Sequence, residues 1–294
     1  MRPPMPRTAL AFLALAALLI GTTARAADGP PCAVILPAEA WPGEMVRGRI
    51  AVGGLITVFG RNLRIGPAGD FVFGLPSTAT GRIAVHLNDG RGCKGIARVT
   101  AKPRDYLVER VSGLPPQTVN PDPATEARIA RENEAIRAAR DVDTPRLDWN
   151  TDWTRPAQGR ISGVYGSQRI LNGQPRSPHM GLDIAAPTGT TVKAPAPGVV
   201  SLVGRDYVLT GNTVLIDHGM GISSLYIHLH SVNVREGQRI AAGEKIGGIG
   251  MTGRASGPHL HWGLHWYQER LDPALVIGDA PMAIEPKRNF QQGR

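Results

Sequence analysis

Glycine and proline punctuate this chain at a density that favours many short strands joined by tight turns. There are 36 glycines and 25 prolines in 294 residues, about a fifth of the chain against a usual ~12%. That share stays below the ~25–30% of low-complexity disordered chains, and 42% hydrophobic residues can supply real cores. A length of 294 residues suits two modest domains, or one with appendages. Collagen, coiled coil and polytopic helical membrane protein are excluded by the same pattern, because no apolar run after residue 26 approaches the ~20 residues a bilayer demands.

The first 26 residues read as an export signal. Arg2 and Arg7 precede a 12-residue apolar run, Ala9 to Ile20, and Ala24 and Ala26 stand at the small-residue positions of an A-x-A cleavage site. Twelve apolar residues are too few to span hydrocarbon, so no stable membrane insertion is expected after cleavage. The formal net charge is +9, falling to +6 once the leader's three arginines are removed. No block of five or more basic residues appears, and no nucleic-acid partner is expected. Cys32 and Cys93 are the two cysteines, and an even pair in an exported chain reads as a disulfide. Such a bond would contribute roughly 4 kcal/mol by loop entropy. A metal pair is the competing reading, but no C-x-x-C or nearby histidine supports it.

From Pro30 to about Ala101, short alternating apolar runs such as Leu55–Val58 and Ile83–Val85 end at turn residues, the pattern of a small β-sandwich. Nothing there suggests chemistry. Leu114-Pro-Pro116 and Pro121-Asp-Pro123 form a stiff connector, and Ala124 to Arg140, free of both glycine and proline, is predicted to be helical. Its apolar stripe is thin, Ile129 and Ile136. With Arg128–Glu132 and Glu134–Arg137 as charge pairs, it reads as a solvated helix bridging two domains. Strand-like sequence returns from about Arg155 to Pro281, with a faint repeat: Gly189-x-x-Val192 and Gly237-x-x-Ile240 each open a turn and an apolar unit.

Seven of the eight histidines lie between His179 and His265. Three segments carry them: His179-Met-Gly-Leu-Asp183; Tyr226-Ile-His228-Leu-His230, following Asp217-His218; and Gly257-Pro-His259-Leu-His261. Neutral imidazole and carboxylate are suitable zinc ligands, and three protein ligands with an open position make a catalytic site. Alternate residues of a strand share a face, so His259 and His261 point the same way, one available to hold a metal and the other to address water. A lone His-x-Gly-x-Asp is more often a turn, and an isolated H-x-H is more often structural. Their joint occurrence in one stretch reverses those odds. His218 and His230 read as supports, and His265 as without a role.

These segments resemble the lysostaphin-type (LytM-like) zinc murein endopeptidases, whose signature is His-x-Gly-x-Asp, Tyr-x-His-Leu and Gly-Pro-His-Leu-His, intact and in order here. Gly166-Ser-Gln-Arg169, Ala194-Pro195-x-x-Gly198, Asn212 to Gly219 and Gly250-x-Thr-Gly253 extend the match over roughly 160–275. More loosely, the front half is similar to the small sandwich of some Gram-negative exported members. The resemblance implies one zinc ion held by His179, Asp183 and His261, with His228 and His259 as the catalytic pair. No glutamate lies in the motifs to act as base, which makes a histidine base the economical assignment.

The resulting expectation is a mainly β chain. It comprises a signal peptide (1–26), a β-sandwich-like domain (27–112), a Pro-rich connector with a bridging helix (113–154), an all-β peptidase domain of the duplicated-hybrid-motif type (155–281) and a tail (282–294). The implied function is zinc-dependent hydrolysis of peptide bonds in peptidoglycan, in the periplasm. The rival is a non-catalytic lysostaphin-type module that regulates other wall hydrolases; such modules typically lack one or more of the five positions, all present here. Arg169 and Arg176 lie near the first ligand in sequence, where carboxylates of stem peptides and plain solvent are both open as partners.

Overall fold

The computed structural model describes residues 33–89, 91–111, 122–171 and 174–281. The expected signal peptide, Cys32, most of the Pro-rich connector and the tail from 282 lie outside the described residues. So the Cys32–Cys93 pairing has only its second partner within them. As expected, the fold is mainly β.

In the front half, Val34–Ile35, Met45–Ile50 and Asp70–Gly74 form a three-stranded sheet. Glu39–Ala40, Lys94–Ala101, Arg82–Asn88, Leu55–Val58 and Arg61–Leu63 form a five-stranded one. Phe71 and Phe73 of the first and Ile56, Val58, Val85 and Val99 of the second are fully buried in one apolar cluster. Alternation explains the choice: in Arg82–Asn88, Val85 and Leu87 are buried while Ala84 and His86, on the other side, are exposed.

The second half is built on a ten-stranded sheet whose pairings are all antiparallel. Its main path runs Arg160–Gly163, Leu182–Ala185, His259–Trp266, Ile222–Val232, Gly211–Gly219, Gly198–Tyr207, Arg239–Ile240. The two units of the faint repeat meet this sheet differently. Arg239–Ile240 pairs with Gly198–Tyr207, and Thr191–Lys193 pairs with Lys245–Ile249. Leu182, Ile184, Ile216, Tyr226, Leu229, Leu260, Trp262 and Leu264 point to one side and are buried. Trp262 is wholly inside, as a packing residue should be.

The helix spans Pro123–Arg140, one residue earlier than predicted. Asp122 caps it, accepting from the backbone of Ala124 and Thr125 at 2.9 and 3.0 Å, and Pro123 fills the first turn, where no N–H is needed. Both expected charge pairs form, Arg128–Glu132 at 2.7 Å and Arg137–Glu134 at 3.4 Å. The helix is not a free bridge, however. Ile136 and Ala139 are buried against Leu215, Leu225 and Ile227, on the side of the sheet opposite Tyr226 and Trp262. Glu132 accepts from the Val208 amide at 2.8 Å and Arg128 donates to the Asp206 carbonyl at 2.5 Å. A thin apolar stripe suffices because these polar bonds register the helix on the sheet.

Contacts between the halves are extensive. Arg104 pairs with Asp272 at 2.5 Å, their side chains only 4% and 2% exposed. Asp272 also donates its amide to the Gly43 carbonyl. Trp149, fully buried, lies between them: its amide meets the His218 carbonyl at 3.1 Å, while Arg47 donates to the Trp149 and Thr151 carbonyls. The strand Val108–Val111 runs parallel to Gln168–Leu171, so backbone pairing joins the front segment to the second half.

Candidate metal centre and catalytic groove

The third strand of the main path, His259–Trp266, lies between Leu182–Ala185 and Ile222–Val232. Antiparallel register sets Asp183 directly opposite His261. His179 comes from the loop before Leu182, held by two backbone bonds, His179 N to Ser167 O at 2.8 Å and Gly166 N to His179 O at 2.6 Å. The three side chains converge. His179 Nε2 lies 2.9 Å from Asp183 Oδ1 and 2.9 Å from His261 Nδ1, and His261 Nδ1 lies 2.8 Å from Asp183 Oδ1.

This triangle is chemically a cation site. His179 Nδ1 sits 3.0 Å from the Val164 carbonyl, which can only accept, so Nδ1 carries the proton and Nε2 presents a lone pair. Burial alone would raise the Asp183 carboxyl, but positive charge at the imidazole side of the triangle, whether a proton on a ring or a bound cation, holds it well below the usual carboxylate range. Lone pairs and a carboxylate oxygen packed at such distances repel unless a positive charge sits among them. The donor set of two imidazoles and one carboxylate fits a metal ion, and it is the one group of this kind among the described residues.

Two glycines make room for it. A Cβ on Gly163, which pairs with Asp183, would stand 2.4 Å from Asp183 Oδ2, and a Cβ on Gly181 would stand 2.6 Å from the His261 ring. Neither the Val164 carbonyl nor Gly163 carries a motif that points to the site. Gly181 does, as the middle residue of the His-x-Gly-x-Asp segment.

His228 and His259 adjoin the triangle. Their ring centroids are 4.8 Å apart, and the His228 ring is 6.5 Å from His261. Each gives its Nδ1 proton to a carbonyl, His228 to Thr252 at 2.8 Å and His259 to Gly257 at 2.8 Å, so both are left with a basic Nε2. Burial, with His259 and His261 nearby, pulls the His228 imidazole down to about 3, which keeps it neutral. His228 reaches this place through a bulge. Tyr226 pairs with Val214 and Leu229 with Asn212, three residues against two, and His228 adopts φ +62°. Tyr226 and Leu229 thus both point into the core while His228 lies beside the metal ligands. A left-handed non-glycine residue costs about 1–3 kcal/mol, and such strain collects at functional sites.

The other histidines divide. His218 is wholly buried between the Pro197 carbonyl and Ser224 Oγ, at 2.5 and 2.7 Å, a support as expected. His230 is exposed and supports nothing in the core. His265, read as idle, is 2% exposed and lines a cavity of about 430 Å³ together with His179, His261 and Ile136 and Arg140 of the helix. The side chains of Arg169 and Arg176 lie outside what the structure describes.

Comparison with known proteins agrees with this geometry. Residues 177–273, from just before His179 to past Asp272, match peptidase family M23. A crystal structure of an M23 peptidase from Pseudomonas aeruginosa superposes with a TM-score of 0.62 at 30% identity, over 82% of this chain and 96% of that one. The chain belongs to peptidase family M23. Among curated members, the DD-carboxypeptidase/endopeptidase Mpg of Neisseria meningitidis is 42% identical over 103 residues, 35% of this chain and 24% of that protein. The peptidoglycan DD-endopeptidase ShyA of Vibrio cholerae is 41% identical over 106 residues, 36% of this chain and 24% of that one. The match therefore spans about a quarter of the length of these relatives.

Proposed function

We propose that this M23 peptidase is a zinc-dependent endopeptidase that cleaves peptide bonds of peptidoglycan in the periplasm. The observation that carries the reading is the convergence of His179 Nε2, Asp183 Oδ1 and His261 Nδ1 to within 2.9 Å beside the rings of His228 and His259. The substrate class rests on the relative ShyA, named as a peptidoglycan DD-endopeptidase, and the compartment on the export-type leader.

His179, Asp183 and His261 hold the ion. Bound zinc supplies Lewis acidity, lowering the pKa of water and polarising the scissile carbonyl. His228 and His259, each with Nε2 free to accept, perform the proton work. One takes a proton as water adds to the carbonyl carbon. The other donates to the oxyanion or, as the C–N bond breaks, to the leaving nitrogen, so that a carboxylate and an amine leave. The Thr252 and Gly257 carbonyls fix both tautomers and both ring orientations. The presence of all five side chains in the sequence argues against the non-catalytic alternative.

The test is digestion of purified murein by the full mature chain, with and without chelator, and mass analysis of the released peptides. The proposal expects new amine and carboxyl termini within the peptide part, lost on chelation and restored by zinc. Release of intact peptides from the glycan, or turnover indifferent to chelator, would overturn it.

A further inference from the structure

The cavity beside the metal triangle is lined by Arg140, Arg254 and Arg270 and by no aspartate or glutamate. Arg140 projects from the last turn of the helix and is half-buried, its Nε sealed from solvent without a hydrogen-bond partner. Arg270 pairs across the strand with His265, whose buried Nδ1 also lacks a partner. Among the described residues no carboxylate lies within ion-pair distance of either Arg140 or Arg270. Burial chiefly, and then Arg270 and Arg137, lower the Arg140 guanidinium to about 10, with Asp141 opposing only weakly. A guanidinium held in this way beside like charge is destabilised unless an anion arrives. His179 and His261 line the same cavity, so a ligand seated on the arginines extends to the metal. A volume of about 430 Å³ is the size of a small peptide segment.

We propose that Arg140 and Arg270, with His265 behind them, form a carboxylate-binding subsite that selects peptides carrying a free carboxylate near the scissile amide. The inference rests on the peptidase reading above and specifies its substrate: an acidic stem peptide, clamped by its carboxylate while the amide lies at the metal. Arginine suits the task because its planar fork donates to both carboxylate oxygens at once. The helix contributes specificity to a site whose metal ligands all come from the sheet region. Arg140 and Arg270 are positioning residues in this scheme and take no part in proton transfer.

The probe is a soluble cross-linked stem peptide and the set of its derivatives in which one carboxylate at a time is a primary carboxamide. For the zinc-loaded full chain, one carboxamide should raise KM about 10- to 100-fold, the worth of a charge-assisted hydrogen bond, with kcat little changed. Arg140→Gln and Arg270→Gln should each erase that preference, and Arg140→Lys should restore part of it. Calorimetric binding of the same peptides reads the subsite independently of turnover. If wild type cleaves the acid and every amide with equal KM, or Arg140→Gln keeps the preference, the subsite is wrong while the peptidase reading stands. If nothing is cleaved but the acid binds better than one amide in an Arg140-dependent way, the subsite stands and the peptidase reading falls. Absence of both binding preference and cleavage overturns both.

Discussion

Gly163→Ala tests the metal centre without touching a ligand. The added Cβ would lie 2.4 Å from Asp183 Oδ2, 3.0 Å from its Cγ and 3.1 Å from His179 Cε1. Ordinary carbon–oxygen contact is about 3.4 Å, so the carboxylate must retreat by roughly 1 Å. Gly163 is not among the residues with positive φ, so the substitution brings no backbone strain, and the injury is confined to the site. A metal ligand tolerates about ±0.2 Å, and disturbing even the groups behind a ligand costs ~10- to 100-fold in affinity. A 1 Å displacement of the carboxylate itself should weaken zinc binding at least ~100-fold, about 2.7 kcal/mol, and lower turnover comparably. Competition with a chromophoric chelator measures the first, and a murein-release assay the second. Gly257→Ala is the control: its Cβ would meet nothing within 4 Å, although its carbonyl holds His259. If Gly163→Ala binds zinc within threefold of wild type and keeps full turnover, Asp183 Oδ2 is not confined as the structure has it.

Alanine at His179, Asp183 or His261 should remove both zinc, by elemental analysis, and activity, because a two-ligand site holds the ion far less firmly. Alanine at His228 or His259 should leave close to one zinc per chain while cutting the rate about 10²- to 10⁴-fold. Arg104→Met strands the Asp272 carboxylate inside the protein and should cost about 3–5 kcal/mol in urea unfolding, since both partners are nearly inaccessible. His218 carries a pH signature of stability. Burial lowers it from 6.5 to about 4, so the folded chain holds it neutral while the unfolded chain protonates it. Stability is complete above pH 6.5 and falls as pH drops towards 4, by up to about 3 kcal/mol. His218→Phe should lose less stability than wild type between pH 7 and 4.5, and an equal loss would refute the assignment.

The five side chains of the site were legible because each sits in a short motif whose residue types announce metal chemistry. Strand pairing then does the rest, setting Asp183 across from His261. His228 was legible as a residue but not as a conformation: its left-handed turn arises from a register mismatch with Gly211–Gly219, which no local pattern encodes. The helix was visible from its composition, yet its docking depends on polar bonds from Arg128 and Glu132 to the backbone of residues 206 and 208, distant in sequence. His265 belongs to no motif, yet the alternation that aligns His259 with His261 also places it on that face. His230, beyond the bulge, misleads for the complementary reason: a regular count from Tyr226 no longer applies.

The helix laid across the catalytic face has a consequence for how such an enzyme can diversify. The residues proposed to hold the ion and to move protons all lie after residue 178, whereas Ile136 and Arg140, which line the cavity beside them, lie before the buried Trp149. Recombination upstream of Trp149 would exchange that wall and leave the chemistry intact, so substrate preference can be inherited separately from reactivity. The same arrangement means that a fragment beginning at 155 would bare Leu225 and Ile227 and lack Arg140. A unit that keeps both the reaction and its selectivity reaches back at least to the Asp122 cap.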